Sequence, residues 1–586
     1  MTKLKVVLAL LVAALMVAPS AVAANGPKNK DNDTYVQLLA FNDLHGNLEP
    51  PTGSSARVAT GPGQTVDAGG AEYFATHIKQ LRMTNTNTLV VAAGDAIGAS
   101  PLVSALFHDE PTIEAMNVWG TDIEGVGNHE FDEGVNELLR MQYGNQNGGD
   151  GCHPEDGCQD DDPFGGALFQ YLAANVFWKN TNETILPAYE IRKIDNAKIA
   201  FIGLTLEGTS SIVSQEGIKD VYFAPEVETV NALVAKLREE KGVRSFVVLV
   251  HQGGQQNAPF AAGFENINGC ENFTGPIVDI AKGLAPEVDV IVSAHTHRAY
   301  NCEIAGRPVT SAASFGRLIT DIDLVIDHQS KDVKGVTVTN RIVTRGVKDD
   351  DETKLLDKYR LLSNDKKNAI VGRISADITT AGNAAGESAL GDVIADAQLF
   401  VTAQDHHGDA VVAFMNPGGI RKDLTYSASA GGEAPGEITY GELFDVQPFT
   451  NYVVTKTMTG QQIYDVLEQQ WSGPNAGTNR KILQVSNGFT YQYTAKNTGA
   501  VGAIDSDQHV VPGSVMIGGV PVNTLATYRV TMNSFLADGQ DNFPAFALGT
   551  EKLVGMIDLD ALVNYFEMKG TVDPGPQNRI TRTVVP

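Results

Sequence analysis

Residues 35–47 read Tyr-Val-Gln-Leu-Leu-Ala-Phe-Asn-Asp-Leu-His-Gly-Asn, an apolar run that ends in small and polar residues. The run 35–41 has the length of a buried strand, and Asp43 and His45 follow it with one residue between them. Alternate residues of an extended chain point to the same side, so this carboxylate and imidazole can grip one metal ion together. The stretch predicts a strand whose carboxyl end carries metal ligands.

The same pattern recurs through the first 300 residues. Apolar runs at 88–92, 199–204, 245–250 and 288–292 alternate with amphipathic helical stretches, as in a layered α/β domain. Polar motifs begin where most of these runs end: Gly94-Asp95, Gly127-Asn128-His129-Glu130, His251 and Ala294-His295-Thr296-His297. Ligand sites in open α/β sheets gather at strand ends and in the loops that follow. We therefore expect the five motifs to meet at one site.

Each motif alone is a weak signal, because an isolated Asp or His at a strand end is most often a cap or a hydrogen-bonded surface group. The ordered set is specific. Its order, D-x-H, G-D, G-N-H-E, H and H-x-H, resembles the calcineurin-like metallophosphoesterase superfamily.

That resemblance implies two divalent metal ions and hydrolysis by a water that they activate. It assigns the first ion to Asp43, His45 and His297, the second to Asn128, His251 and His295, and a bridging role to Asp95. Nitrogen and oxygen ligands of this kind suit zinc, manganese, iron or cobalt. Two ions roughly 3.5 to 4 Å apart would clamp a phosphoryl oxygen during in-line attack.

His129 matches the superfamily's histidine that is not a ligand, which protonates the leaving oxygen or stabilises transition-state charge. Asp132, three residues on, would hold that imidazole in its working tautomer. The alternative interpretation of Asp132 is a helix N-cap for the stretch 134–141.

The pattern of apolar and charged residues changes past residue 325. Residues 333–347 look like strand, and 349–367 are charged and contain neither Gly nor Pro, which predicts a helix. We interpret 349–367 as a helical linker, with a surface helix of a second domain as the alternative. The remainder mixes strands with helices near 390–402 and 460–470, which predicts a second α/β domain.

In this second half the resemblance narrows to the 5'-nucleotidase family. The segment Asn416-Pro417-Gly418-Gly419-Ile420-Arg421 is similar to a family loop, from which Asn416, Gly418, Gly419 and Arg421 would contact substrate. Phe449 and Phe535 lie in segments that resemble the family's two base-stacking loops, and Asp541 matches the carboxylate that binds ribose hydroxyls. Stacking accepts any base, which predicts tolerance toward different bases.

One departure concerns the phosphate. The family pattern around Glu387 commonly carries an arginine just upstream, but residues 383–386 read Asn-Ala-Ala-Gly here. One phosphate contact is therefore missing. The chain would prefer another phosphoester, such as a cyclic nucleotide, or recruit Arg421 and a different cation.

The resemblance implies an α/β fold with two domains and defines our expected boundaries. A four-layer metallophosphoesterase-type α/β sandwich spans 35–335, the helical linker 349–367, and a C-terminal α/β substrate-binding domain 368–586.

Charge and the N-terminal residues bear on localisation and partners. A formal net charge of -27 and a pI near 4.8 argue against general affinity for nucleic-acid polymers. The N-terminal residues predict a signal peptide over 1–24, with an N-terminal membrane anchor as the alternative. The pattern consists of Lys3 and Lys5, an apolar run at 6–17, and Ala21-Val22-Ala23. We expect secretion, with the cell wall or periplasm as other destinations, and no membrane span after cleavage.

The four cysteines, at 152, 158, 270 and 302, favour two disulfides in an oxidising compartment. Of three possible pairings we favour Cys152 with Cys158 and Cys270 with Cys302. A zinc site built from these cysteines is the weaker alternative, since no C-x-x-C spacing is present.

These observations predict an exported dimetal phosphohydrolase that acts on nucleoside 5'-monophosphates, and also on di- or triphosphates or nucleotide sugars. A 2',3'-cyclic-nucleotide 2'-phosphodiesterase with 3'-nucleotidase activity is the alternative. A non-catalytic nucleotide-binding surface protein is a third, weaker possibility, because every position expected to bind metal or act in catalysis holds a chemically apt residue. The oligomeric state stays open.

Overall fold

The computed structural model describes residues 33–585 except 155, 212, 214–216, 257–265, 404–406, 428–430, 450, 478–479 and 497–505. The expected signal peptide, residues 1–24, lies outside the described residues. Within the described part of the chain, no helix is both long enough and apolar enough to span a bilayer.

Two six-stranded sheets face each other in the first half of the chain. The first contains, in spatial order, Val333–Ile342, Leu318–Ile326, Thr34–Phe41, Thr88–Ala92, Ile123–Gly125 and Gln170–Leu172. The second contains Ala299–Ile304, Arg307–Ala312, Val290–Ser293, Ser245–Val250, Ala197–Leu204 and Tyr189–Ile194. Apolar side chains from the inner faces of both sheets form one buried cluster, which includes Val36, Val91, Val247 and Val292.

Helices cover the two outer faces. Those beside the first sheet are Ala71–Arg82, Leu102–Ala105, Glu110–Trp119 and Val135–Tyr143, and those beside the second are Glu226–Lys241 and Pro276–Gly283. Each set shares a buried apolar cluster with its own sheet. The order helix, sheet, sheet, helix confirms the predicted four-layer α/β sandwich.

Strand direction places the motif loops together. In the first sheet Thr34–Phe41 runs parallel to Thr88–Ala92, which runs parallel to Ile123–Gly125. In the second, Ser245–Val250 runs parallel to Val290–Ser293. The carboxyl ends of parallel neighbours meet at one edge of a sheet, so the loops after these strands converge.

The predicted strands at 88–92 and 245–250 have the observed bounds, and those at 35–41, 199–204 and 288–292 shift by one or two residues. The stretch 333–347 is a strand only over Val333–Ile342. The run 288–292 shifts most visibly, since its strand is Val290–Ser293. The preceding residues belong to a turn, in which the Val288 N–H donates to the Ala285 carbonyl.

A charged helix, Asp350–Lys367, follows the first half. Asp349 caps it by accepting hydrogen bonds from the backbone N–H groups of Asp351 and Glu352. Its buried residues Leu356 and Tyr359 join the apolar cluster outside the first sheet. The helix is thus observed where the sequence predicts one, and its role as a linker stays a prediction.

The C-terminal half is a second α/β unit. Its central sheet contains Gln484–Val485, Val412–Met415, Thr527–Asn533, Tyr452–Thr459 and Thr550–Ile557 in spatial order. A smaller sheet joins Glu437–Thr439, Ile370–Ile374 and Thr571–Val572, and a third joins Ser506–Val510, Phe489–Lys496, Met516–Ile517, Val520–Pro521 and Ile580–Val585. Its helices are Ala389–Thr402, Tyr440–Val446, Gly460–Gln469, Ser534–Ala537, Pro544–Ala547 and Asp558–Lys569.

Both favoured disulfides are present. Cys152 pairs with Cys158, and Cys270 pairs with Cys302. No cysteine is left over for a zinc site in the described chain, so the alternative of a cysteine-bound zinc is wrong.

Candidate active site

The predicted metal ligands gather in the loops after the strands, and five of them have an uncommon backbone conformation. Asp43, His45, Asp95, His295 and His297 have φ values of 49°, 48°, 53°, 70° and 56°. The left-handed region costs a residue with a side chain of order 1 to 3 kcal/mol, and such strain collects at functional sites. The strained backbone therefore marks the same loops that the motifs identify.

The first group of ligands is Asp43, His45 and His297, whose donor atoms lie close enough to share an ion. Nε2 of His297 lies 3.5 Å from Oδ1 of Asp43, and Nε2 of His45 lies 4.0 Å from the same oxygen. The two imidazole Nε2 atoms are 2.9 Å apart. Nδ1 of His45 lies 2.8 Å from the Gly98 carbonyl and donates to it, so Nε2 carries a lone pair.

The second group contains Asp95, His251 and His295. Oδ2 of Asp95 lies 2.8 Å from Nε2 of His251 and 3.8 Å from Nε2 of His45, so this carboxylate sits between the two groups. Asn128 is buried, and its Oδ1 has no hydrogen-bond partner among the described residues. The shared carboxylate and the orphaned amide oxygen fit the bridging and ligand roles expected for them.

A cation fits this arrangement of atoms. Nδ1 of His251 lies 2.9 Å from the carbonyl oxygen of Ala93, and a donor there leaves an unprotonated Nε2 facing the Asp95 carboxylate. Nε2 of His251 makes no hydrogen bond to a described residue. A lone pair that faces a carboxylate is repulsive by itself and becomes favourable when a metal ion lies between them.

Burial sets the charges of the ligands. It lowers the pKa of His45 and of His295 to about 4, which keeps both imidazoles neutral at neutral pH. It raises the pKa of Asp43 to about 7, and the neighbouring charge of Asp95 adds to this effect. At His251 the balance is reversed: burial opposes the charge, but the carboxylates of Asp95 and Asp43 raise the pKa of this imidazole to about 9. Imidazoles with a crowded carboxylate are a donor set that suits divalent transition metals.

His129 and Asp132 form a pair beside the metal ligands. Nδ1 of His129 lies 2.7 Å from Oδ2 of Asp132, and each side chain is about a third exposed, at 32% and 29%. Burial opposes the charged imidazole, but the carboxylates of Asp132 and Asp95 outweigh it and raise the pKa of His129 to about 10. The N-cap interpretation of Asp132 is wrong, because the helix Val135–Tyr143 begins after Gly134 and has no side-chain cap.

Two buried side chains that the sequence analysis did not assign hold the ligand loops in place. Glu130 accepts hydrogen bonds from the N–H groups of Asp95, Ala96 and Gly127. Asn42 donates to Oδ2 of Asp43 at 2.6 Å. Both stand within the quoted motifs, so their position beside a ligand was the signal that could have identified them.

In the C-terminal half, several of the predicted substrate residues contact one another. Nδ2 of Asn416 donates to Oδ2 of Asp541 at 3.1 Å, and Nδ2 of Asn533 donates to Oδ1 of Asn416 at 2.9 Å. Asp541 has a φ of 59°. A Cβ at Gly419 would lie 2.5 Å from Cε of Met415, so a larger residue here would displace the end of that side chain. The loops of Asn416 and Asp541 are thus joined by a hydrogen bond from a side-chain amide to a carboxylate.

The two predicted stacking residues are partly exposed, as a base clamp requires. Phe449 and Phe535 each expose 43% of their surface. Cζ of Arg421 lies 5.6 Å from the ring centroid of Phe449, and Nη1 of Arg421 donates to the Gly418 carbonyl at 3.2 Å. Arg421 therefore connects the glycine loop to one side of the clamp.

Two further residues at this site escaped the sequence analysis. The ammonium of Lys481 contacts Oδ1 of Asp541, so this carboxylate is paired with a cation. The hydroxyl of Tyr452 donates to the carbonyl oxygen of Asp132 at 2.8 Å and joins the C-terminal half to the His129 pair. Neither had a sequence signal, because both contacts depend on how distant segments pack.

The segment that lacks the family arginine, residues 383–386, contributes one residue to the C-terminal core. Ala385 is buried, and its carbonyl accepts a hydrogen bond from the hydroxyl of Tyr493 at 3.1 Å. Nδ2 of Asn383 donates to the Gln577 carbonyl at 3.2 Å. The segment therefore has a packing role.

Comparison with known proteins identifies one family in each half of the chain. Residues 36–299 match the calcineurin-like phosphoesterase family, and residues 370–548 match the C-terminal domain of 5'-nucleotidases. Residues of both candidate sites fall within these matches.

Among similar proteins, the chain is 32% identical over 536 residues to the endonuclease YhcR of Bacillus subtilis, covering 90% of this chain and 39% of that protein. It is 31% identical over 591 residues to the cell wall protein Lmo0130 of Listeria monocytogenes, covering 95% of this chain and 70% of that protein. A solved 5'-nucleotidase precursor from Thermus thermophilus shares the fold, with a TM-score of 0.60 at 22% identity, over 94% of this chain and 100% of that one.

Proposed function

Because the chain belongs to the 5'-nucleotidase family of metal-dependent phosphoester hydrolases, we propose that it is an exported enzyme that releases phosphate from nucleoside 5'-monophosphates. Di- and triphosphates and nucleotide sugars are further substrates within the same proposal. The observation that carries the nucleoside part is the hydrogen bond between Asn416 and Asp541, in the same half of the chain as the two exposed phenylalanines.

The proposal places two divalent ions at the convergent motifs. Asp43, His45 and His297 would hold one, Asn128, His251 and His295 the other, and Asp95 would bridge them. Such ions polarise the phosphoryl oxygens and make a water nucleophilic at neutral pH.

The other steps are assigned to groups of this chain. Asp132 holds Nδ1 of His129, which leaves Nε2 to deliver a proton to the leaving ribose oxygen. Arg421 has a guanidinium suited to phosphate, and Asp541 accepts hydrogen bonds from ribose hydroxyls. Phe449 and Phe535 would stack on the base, with the arginine displaced from Phe449 when the base enters.

Export is supported by the N-terminal pattern and by the two disulfides, which persist in oxidising compartments. The cell wall is the other destination within this proposal.

A substrate panel tests the proposed reaction. With manganese or zinc supplied, we expect 5'-AMP to be hydrolysed with a higher kcat/KM than 3'-AMP or 2',3'-cyclic AMP, because a 5'-phosphate projects away from a ribose held at Asp541. Phosphate release is measured for each substrate at equal concentration. Rapid turnover of the cyclic nucleotide with none of 5'-AMP would replace the proposal with the cyclic phosphodiesterase activity.

Replacing Phe535 by alanine tests the base clamp. Stacking contributes about 1 to 3 kcal/mol per base, so KM should rise about 5- to 150-fold for AMP, GMP, CMP and UMP alike. The matched control Phe535→Tyr keeps the ring and should keep KM. Hydrolysis of ribose 5-phosphate, which has no aromatic ring, should not change, and an equal loss on that substrate would contradict the clamp.

A further inference from the structure

One hydrogen bond joins the neighbourhood of Phe449 to the turn that carries the candidate proton donor. The hydroxyl of Tyr452 donates to the carbonyl oxygen of Asp132 at 2.8 Å, although 320 positions separate the two residues in the chain. Tyr452 belongs neither to the five motifs nor to the segments that resemble the base-stacking loops. The bond therefore connects two parts of the candidate site that lie in different halves of the chain.

In the C-terminal half, Tyr452 is fixed between the two segments that are expected to stack on the base. It comes three residues after Phe449, and its ring packs against the apolar core of that half. Its backbone N–H donates to Oγ of Ser534 at 3.2 Å, and the same Oγ donates to Oδ1 of Asn451 at 3.2 Å. Ser534 directly precedes Phe535. Both stacking segments are thus tied to the position of Tyr452.

In the N-terminal half, the acceptor belongs to the turn of His129. Nδ1 of His129 lies 2.7 Å from Oδ2 of Asp132, and the Asp132 N–H donates to the His129 carbonyl at 3.1 Å. This turn packs closely on Gly98, where a Cβ would lie 2.7 Å from Cβ of His129 and 2.8 Å from Oδ2 of Asp132. The carbonyl that Tyr452 contacts is therefore part of the compact turn that orients the imidazole.

The direction of this hydrogen bond does not change with pH. Burial, with the charges of Asp132 and Glu133 adding to it, raises the pKa of the Tyr452 hydroxyl well above its usual range. The hydroxyl therefore keeps its proton wherever the protein is folded at neutral pH. A peptide carbonyl can only accept, so Tyr452 is the donor and a phenylalanine in its place could not make the bond.

We propose that Tyr452 is a positioning residue, whose hydroxyl fixes the base clamp relative to His129 so that a nucleotide held at its base presents the phosphoester oxygen to the proton donor. This inference rests on the proposed function, because it requires a base bound between Phe449 and Phe535. A small misplacement of a bound substrate lowers the rate of reaction. Tyr452 acts through Asp132 and Ser534, without touching the reacting atoms.

The ratio of two activities tests the proposal. Both 5'-AMP and glycerol 3-phosphate release a primary alcohol whose oxygen needs a proton, but only 5'-AMP has a base for the clamp. In Tyr452→Phe, kcat/KM for 5'-AMP divided by kcat/KM for glycerol 3-phosphate should fall about 2- to 12-fold, the effect of one lost hydrogen bond. Both substrates are measured on one preparation, so the ratio does not depend on the folded fraction. An unchanged ratio would overturn the proposal.

A double variant shows whether the effect passes through the clamp. Phe535→Ala removes one side of the clamp, so adding Tyr452→Phe to it should change the ratio less than Tyr452→Phe does in the wild type. Substitutions that act through one contact network are not additive, whereas independent substitutions are. An equal change of the ratio in the two backgrounds would contradict the proposal.

Tyr528→Phe is the matched control. The hydroxyl of Tyr528 accepts a hydrogen bond from the Asn523 N–H at 2.9 Å, within the C-terminal half. This variant loses the same atom and should keep the wild-type ratio, and an equal fall in both tyrosine variants would reject the role of Tyr452.

The proposed function is tested separately, on the wild type alone. If the wild type hydrolyses another nucleotide of the substrate panel and not 5'-AMP, the proposed function fails, and that nucleotide replaces 5'-AMP in the ratio. If the wild type hydrolyses 5'-AMP and Tyr452→Phe keeps the ratio, only the role of Tyr452 fails. The two failures are therefore distinguishable.

Discussion

Replacing His129 by alanine should lower kcat about 10²- to 10⁴-fold while the metal content of the protein stays unchanged. General acid catalysis by a positioned side chain contributes a factor of this size. Nδ1 of His129 faces Asp132, which leaves Nε2 for the substrate, and the side chain is about a third exposed, as a group that meets substrate requires. Steady-state hydrolysis of 5'-AMP and metal analysis of the same preparation measure the two quantities.

The leaving group distinguishes a proton donor from a residue that only stabilises charge. A good leaving group such as p-nitrophenolate needs little protonation, so His129→Ala should cost much less on p-nitrophenyl phosphate than on 5'-AMP. Equal losses on the two substrates would contradict the role of proton donor. The control is His77→Ala, since His77 lies on the helix Ala71–Arg82 and its side chain hydrogen-bonds Thr344, which is not assigned to the candidate site.

Asp132→Asn tests the positioning of that imidazole. An asparagine keeps the size of the side chain but removes the charge that Nδ1 of His129 faces at 2.7 Å. kcat should fall by less than in His129→Ala, and KM should stay close to the wild-type value, because Asp132 is not assigned to substrate binding. A loss equal to that of His129→Ala together with a lost metal ion would show a structural role instead.

The sequence predicts the four-layer half of the fold because its signals are local. The run 35–41 and those at 88–92 and 245–250 are continuous apolar strands, and the chemistry begins immediately after most of them. Because neighbouring strands are parallel, their carboxyl ends and the residues that follow them lie at one edge of the sheet. The convergence of Asp43, Asp95 and His251 follows from this geometry, and the structure places them as expected.

The sequence does not reveal which distant segments pack against each other. Lys481 reaches Asp541 across 60 residues, and the hydroxyl of Tyr452 reaches the Asp132 carbonyl across 320. His108 likewise contacts Asp156, which lies 48 residues away in a loop with little periodicity. Such contacts depend on tertiary structure, and no spacing in the chain encodes them.

The second large effect concerns Asp95. Asp95→Asn should remove at least one metal ion per chain and lower kcat/KM by at least about 10³-fold, because the ions supply several kcal/mol of transition-state stabilisation and 1.36 kcal/mol is a factor of ten. Asparagine matches aspartate in size but lacks the charge that lies 2.8 Å from Nε2 of His251 and 3.8 Å from Nε2 of His45.

A nearby buried carboxylate gives the matched control. Glu124 is fully buried, and neither of its oxygens has a hydrogen-bond partner among the described residues. Burial, with the charges of Glu130 and Asp95 adding to it, raises the pKa of Glu124 well above its usual range, which favours the neutral form. Glu124→Gln keeps the size of the side chain and should leave metal content and kcat/KM close to those of the wild type.

Thermal unfolding separates lost metal from lost fold in this pair of variants. Each ion that binds only the folded chain adds about 2.7 kcal/mol at a hundredfold excess over its Kd, so metal should raise the Tm of the wild type and of Glu124→Gln. Asp95→Asn should have a Tm near that of the metal-free wild type, and its Tm should respond weakly to added metal. In the metal-free wild type the Asp95 carboxylate has no metal ion to bind, so its replacement changes the stability of that state little. A wild-type response to metal in Asp95→Asn, with activity retained, would remove Asp95 from the ligand set.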